Sequence, residues 1–131
     1  MRIVDFAPEH LEEVVRLCER EGWTTFTQAQ ELTLRALQAP GVVALVAAQH
    51  GGEVIGFAYA LSDGVIQAYL ACLVVADGAR RRGVGRGLLE QALARSGARR
   101  IDLLSADSSA AFYESFPHQR ARGYRIASAP S

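Results

Sequence analysis

The chain has 131 residues, of which 50% are apolar and 21% charged, a composition that fits one folded domain and excludes a disordered polyelectrolyte. Its 14 basic and 14 acidic residues balance to a formal net charge of zero, which argues against a general nucleic-acid binder. The chain contains no lysine, so lysine Schiff-base chemistry and a Walker-type phosphate lysine are excluded.

Arg2 to Phe6 reads as a short strand without the long apolar stretch of a signal peptide. Pro8 suits the first position of a helix, and Leu11, Val14, Val15 and Cys18 then recur at helical spacing until Gly22. Trp23 to Phe26 make an aromatic-bearing loop. Thr27, followed three residues later by Gln30, resembles a capping box, and Leu32, Ala36 and Leu37 continue a second helix to Pro40 and Gly41. The period then changes. Val42 to Gln49 and Glu53 to Leu61 flank the turn His50 to Gly52 as a β-hairpin. After Ser62 to Gly64 comes an apolar run from Val65 to Val75, expected to be a strand covered on both faces. The whole run to Ala76 is interrupted by Gln67 and is too short for the roughly 20 residues of a membrane span.

Leu88, Leu89, Ala92 and Leu93 mark a further helix that fades near Ser96 and Gly97. Arg100 to Ser105 reads as a strand. Asp107, Ser108 and Ser109 cap a short helix that Pro117 closes, and Tyr124 to Ser128 is expected to be a last strand. The predicted order is βααβββαβαβ, one α+β domain over residues 1–131 around a mixed sheet. Cys18 and Cys72 lie within apolar patterns and read as buried thiols of a reducing compartment, so the protein is expected to be cytoplasmic. The histidines His10, His50 and His118 lack ligand-like spacing, and no metal site is expected.

The segment between Leu73 and Leu89 carries the chemistry. A run of β-branched and aliphatic residues stops, and Arg80, Arg81, Arg82 and Arg86 follow, interleaved with Gly83, Gly85 and Gly87. A strand that ends in such a turn leaves the first N–H groups of the next helix unpaired and convergent. Gly83 and Gly85, having no Cβ, let an anion approach the backbone closely, and the arginines can add charge-assisted bonds to phosphate oxygens. A diphosphate is the anion this order suits best.

Arg80-x-x-Gly83-x-Gly85, placed five residues after Val75 and leading into an amphipathic helix, resembles the acetyl-coenzyme A signature of the GNAT acetyltransferases. Phe112 and Tyr113 on the next short helix, and the hairpin from Gln49 to Phe57, resemble that family too, and the likeness spans essentially the whole chain. It implies a mixed, mostly antiparallel central sheet flanked by helices in three α/β/α layers. It also implies that acetyl-coenzyme A is a cosubstrate, held by the backbones of Leu73, Val74 and Val75, by Arg80, Arg81, Arg82, Gly83, Val84, Gly85 and Arg86, and by Ser108 in place of an asparagine. In such a site the N–H of Val74 or Val75 would act as an oxyanion donor. Tyr113 would protonate the departing coenzyme A thiolate. The reaction implied is direct transfer of acetyl to a primary amine in a ternary complex, with no nucleic acid or membrane partner; a homodimer is common among such proteins.

The chain departs from the family pattern in three places. Val65 to Ala76 contains no acid where many relatives place a glutamate base, which leaves Gln67 and Tyr69 to position a water, or Asp102 or Glu114 to serve. Asp77 replaces a usual proline, and Phe116, Pro117 and His118 replace a usual Gly-Phe. The missing acid also leaves open a non-catalytic acyl-coenzyme A sensor or partner domain. Cys72, alternating with Leu73 inside an apolar strand, is poorly suited to carry the acetyl group covalently.

Overall fold

In the computed structural model, which describes residues 1–24 and 29–128, the apolar runs pair in their chain order. The strands are β1 (Arg2–Asp5), β2 (Val42–Ala48), β3 (Val54–Ser62), β4 (Gln67–Val75) and β5 (Arg100–Leu103), and they lie side by side as β1-β2-β3-β4-β5. Short turns join β2 to β3 and β3 to β4, a long helical segment lies between β1 and β2, and these four strands are antiparallel, whereas β5 is parallel to β4. A parallel neighbour needs a crossover, and helix α3 (Val84–Ser96) supplies it. The remaining helices are α1 (Leu11–Arg20), α2 (Gln30–Leu37) and α4 (Ala110–Glu114).

The sheet buries both faces, giving three layers. On one face, Val84, Leu88, Leu89 and Ala92 of α3 pack against Leu45, Ala58, Ala60 and Leu70. On the other, Val14, Leu17 and Cys18 of α1 and Leu37 of α2 pack against Val46, Phe57, Cys72 and Val74. Glu13 accepts the Val54 N–H at 3.2 Å and ties α1 to the start of β3.

The strand β4 does not keep one face throughout. Tyr59 is opposite Cys72 and Ala60 is opposite Leu70, which leaves Ala71 without a partner on β3. This one-residue β-bulge reverses the alternation. Leu70 therefore faces α3, while Cys72 and Val74 face α1. Pairing with β5 covers only Gln67 to Leu70, opposite Arg100 to Leu103. Beyond the bulge, Ala71 to Val75 continue with no neighbour on that side, so β4 and β5 form a wedge.

Three expectations need correction. Tyr124 to Ser128 is not a strand. Residues 118–127 carry no regular structure, and Tyr124 and Ile126 are 75% and 93% exposed. The segment alternates, but without a neighbouring strand or a buried face its backbone pairing has nothing to stabilise it. The run from Val65 is also shorter as a strand than expected, and it is covered only at alternate residues. Asp63 takes the N–H groups of Val65 and Ile66 at 2.7 and 2.8 Å, a side-chain turn that leaves Val65 and Ile66 exposed and delays β4 to Gln67. Pro8 opens a 3-10 turn, Pro8–His10, ahead of α1 instead of the helix itself. The proposed capping residue Thr27, with Phe26, lies outside the described residues, and α2 begins after Ala29.

The closed end of the sheet is fixed by contacts between the β3–β4 turn and the end of α3. Ser62 donates to the Ser96 carbonyl at 2.8 Å. Gly97 ends α3 at φ 72°, where an added Cβ would lie 2.7 Å from the Gly64 carbonyl oxygen. A side chain there meets both a left-handed backbone and a fixed carbonyl. Gly97→Ala should therefore destabilise the fold by about 1–3 kcal/mol in denaturant titrations.

The N–H groups of Ile66, Val65 and Gln67 hold the Asp63 carboxyl below the usual carboxylate range. A depressed folded pKa contributes stability above the unfolded value near 3.9 and loses it as pH falls through the folded one. Asp63→Ala should lower Tm at pH 7, and the Tm difference between the two proteins should shrink as pH falls through the depressed folded pKa.

Candidate active site

The wedge opens toward the segment that joins β4 to α3. A 3-10 turn, Asp77–Ala79, follows the strand, and Arg81 then adopts φ 65°, a left-handed conformation rare for a side-chain-bearing residue. Gly83 at φ 79° is the N-cap of α3 and offers no side-chain cap. Successive backbone N–H groups thus converge at the helix N-terminus with no protein acceptor supplied, the form of an anion nest. Val84 is buried under the helix and fixes its first turn on the sheet.

The four arginines divide into two pairs. Arg80 bonds Glu21 at 2.5 Å and Asp77 at 3.4 Å. Glu21 also accepts the Asp77 N–H at 3.2 Å, and its side chain is only 13% exposed. It therefore ties the end of α1 to the loop and neutralises Arg80. The guanidinium of Arg86 lies 4.0 Å from the centre of the Phe116 ring and donates to Ser115 Oγ at 2.8 Å, which joins α3 to the end of α4. Arg81 and Arg82, both exposed, make no ion pair among the described residues. Arg82 and Val84 line one side of a depression of ≈ 370 Å³ whose other side is Gln49, His50 and Gly51 of the hairpin turn.

Helix α4 closes the other side of the loop. A Cβ added to Gly85 would lie 3.2 Å from Phe112 Cζ and 3.5 Å from Val75 Cγ2, so Phe112 bridges the first turn of α3 to the end of β4. Tyr113 packs on the α3-side core and meets Phe112 edge-on with ring centres 5.0 Å apart. Burial, with a smaller contribution from the nearby Cys72 sulfur, pushes its phenol up to about 12. Ser109, expected to cap α4, makes no side-chain cap and instead donates to the Ala106 carbonyl at 3.1 Å. Ser108 is exposed in the same 3-10 turn, Asp107–Ser109.

Within the wedge, Leu73 and Val75 are half-buried on the α3 side, and Val74 is buried on the α1 side. Cys72 is 2% exposed, and a hydrogen bond with Cys18, together with burial, raises its thiol far above the ordinary range. It stays protonated and enclosed, unsuited to nucleophilic attack. Gln67 is engaged: its Oε1 accepts Arg100 Nε at 2.5 Å and its Nε2 donates to the Ala68 carbonyl at 2.8 Å. Tyr69 is half-buried, and Asp102, its register partner on β5, is exposed. Glu114 is paired with Arg120. Trp23 is 38% exposed at the end of α1.

Sequence reasoning thus located the loop, the wedge strand and Tyr113. It missed Glu21, which is 59 residues from Arg80, as well as Ser115 and Phe116, and no spacing rule would have found them. Among the described residues no helix is long and apolar enough to cross a membrane.

Comparison with known proteins places this geometry. Curated protein sequences give no significant match. The fold is shared by an aminoglycoside antibiotic 6'-N-acetyltransferase from Acinetobacter haemolyticus, at TM-score 0.80 and 18% identity over 100% of this chain and 99% of that one. An acetyltransferase from Trypanosoma brucei aligns at TM-score 0.72 and 19% identity, covering 96% and 98% of the two chains. A transcriptional regulator from Bacillus halodurans aligns at 0.76 and 17%, covering 96% and 98%. The family model for the acetyltransferase (GNAT) family matches residues 9–116, and the chain belongs to that family.

Proposed function

We propose that this protein is an N-acetyltransferase that moves the acetyl group of acetyl-coenzyme A to a primary amine by direct attack within a ternary complex. The observation that carries the reading is the continuity of the β4–β5 wedge with an uncapped helix N-terminus, flanked by Tyr113 on α4. The residues fit the donor. A backbone nest with no capping side chain, beside unpaired Arg81 and Arg82, suits a diphosphate. The Ala76 N–H bonds the Ile55 carbonyl of β3, so by alternation the peptide groups of Leu73 and Val75 face the wedge region that β5 leaves open, where an extended pantetheine arm can pair as a strand would. Arg80 and Arg86 serve by holding the loop and α4 in place, and Ser108 supplies a further exposed hydroxyl. Acetyl-coenzyme A contributes an activated thioester carbonyl, and of the two candidate donors the Val75 N–H, on the open side of the strand, is the one able to stabilise the charge that develops on its oxygen.

The state of Tyr113 limits its role. Burial holds the phenol at about 12, above a thiol at about 8.5, which favours a hydrogen bond to the leaving sulfur over full proton transfer. Tyr113 therefore donates a hydrogen bond to the leaving sulfur and stays protonated. A second reading, a non-catalytic acyl-coenzyme A sensor, is favoured by the lack of any carboxylate on β4.

Acetyl-coenzyme A should raise Tm, and Arg81→Ala or Arg82→Ala should each weaken its binding about 10-fold, the worth of one charge-assisted bond, by calorimetric titration. Thiol release should be detected with an amine panel that includes an aminoglycoside, because an aminoglycoside acetyltransferase shares the fold. Binding without release for every amine would favour the sensor, and absence of binding would refute both readings.

Tyr113→Phe should lower kcat about 10- to 100-fold and leave acetyl-coenzyme A affinity unchanged. Because the raised pKa keeps the phenol neutral, the two pH–rate profiles should be parallel from about pH 6 to 10. Cys72→Ala should retain turnover; its loss, with an isolable acetyl-enzyme, would point to a covalent route.

A further inference from the structure

The geometry points to the depression between the β2–β3 turn and the start of α3 as the place that holds the 3'-phosphoadenosine end of coenzyme A, with His50 and Arg82 on its ribose 3'-phosphate, an inference that rests on the reading above that coenzyme A is bound. The depression measures ≈ 370 Å³, within the usual size of a small-molecule site. Arg82 and Val84 bound it on the loop side, and Gln49, His50 and Ile55 on the hairpin side.

The two walls are fixed to each other through the core. Ile55 and Val84 are both buried and belong to the cluster between α3 and the sheet, so they give the depression an apolar base that suits the flat face of a purine. The turn that carries His50 is closed twice. The Gly52 N–H donates to the Gln49 carbonyl at 2.8 Å, and the Gln49 N–H donates to the Glu53 carbonyl at 2.9 Å. His50 is thus presented by an ordered backbone, and a site built in advance loses less freedom on binding.

The polar groups around the rim suit an anion. Arg82 and His50 are exposed, and neither makes a hydrogen bond or an ion pair among the described residues. No carboxylate lines the depression. A guanidinium from one wall and an imidazole N–H from the other can both donate to one phosphate group. Gln49 is half-buried at the same turn and brings a side-chain amide, the group that pairs with the edge of an adenine.

Position separates this phosphate from the diphosphate. Arg82 and Val84 stand on either side of Gly83, the N-cap of α3, so the depression begins where the nest ends. In coenzyme A the diphosphate and the 3'-phosphate are carried by two oxygens of the same ribose, and one sugar therefore spans the step from nest to depression. Arg81 lies outside the depression. The two free arginines of the loop then divide their work, Arg81 toward the diphosphate and Arg82 toward the second phosphate.

The test is calorimetric titration with coenzyme A and with 3'-dephospho-coenzyme A, which differ in that phosphate alone. The wild type should prefer coenzyme A by about 10- to 100-fold, the range for two hydrogen bonds to a charged group. His50→Ala and Arg82→Ala should each reduce the preference about 3- to 10-fold. Arg81→Ala should weaken both ligands alike and leave the preference in place. Adenosine 3',5'-bisphosphate should displace coenzyme A at lower concentration than adenosine 5'-diphosphate does. Equal affinity of the wild type for the two ligands would overturn the inference, and so would a His50→Ala protein that keeps the full preference. Failure of the wild type to bind either ligand would instead remove the reading on which the inference rests.

Discussion

The bulge at Ala71 is the constraint on which the rest of the structure depends. One extra residue in β4 reverses which side chains face which helix layer, and it bends the strand where β5 stops following it. Without it, Cys72 and Val74 would point toward α3, and Leu73 and Val75 would point toward α1, so both cores would be mispacked. With it, peptide groups of the Ala71–Val75 stretch have no strand neighbour on one side. Backbone donors and acceptors left without partners are costly once water is excluded. A ligand with amide groups of its own can satisfy them, so the same irregularity that divides the core also makes a binding edge.

Charge in the neighbouring loop is divided with similar economy. Of four arginines packed into seven residues, two are neutralised or stacked by the protein itself. Arg80 is held by Glu21 and Asp77, and Arg86 by Phe116 and Ser115. These contacts anchor the loop to α1 on one side and to α4 on the other, so the left-handed backbone at Arg81 and Gly83 is stabilised from both ends. Arg81 and Arg82 retain their charge for solvent or ligand. A cluster that looks uniform in sequence is therefore half scaffold and half exposed charge.

Much of this was legible beforehand, for definite reasons. The hairpin was marked by a glycine pair between two apolar runs, and α3 by glycines followed by a helical stripe; both signals are local. The bulge was not legible. Leu70, Cys72, Leu73 and Val74 are apolar in both parities, so no pattern along the strand shows where the faces exchange. The pairing of Glu21 with Arg80 spans 59 residues and leaves no trace in either neighbourhood. Tyr124 to Ser128 failed in the opposite way. Its alternation is plain in the sequence, but alternation predicts a strand only where a neighbour and a core are present to receive it.

The unequal legibility of the two halves of the site has a physical origin. The proposed donor half is made largely of backbone: a bulge, an open strand edge and a helix start. Such features need glycines at fixed places and apolar residues around them, and the sequence must display them. Exposed side chains at the corner of a sheet are under no such constraint, because substitution there costs the fold little. Chains less than 20% identical to this one can then keep its architecture while one is an aminoglycoside acetyltransferase and another a transcriptional regulator. In this chain the outer strand of that corner carries one carboxylate, Asp102, which is exposed while its neighbours Ile101 and Leu103 pack into the α3-side core, and what it meets depends on chemistry that the fold leaves free to vary.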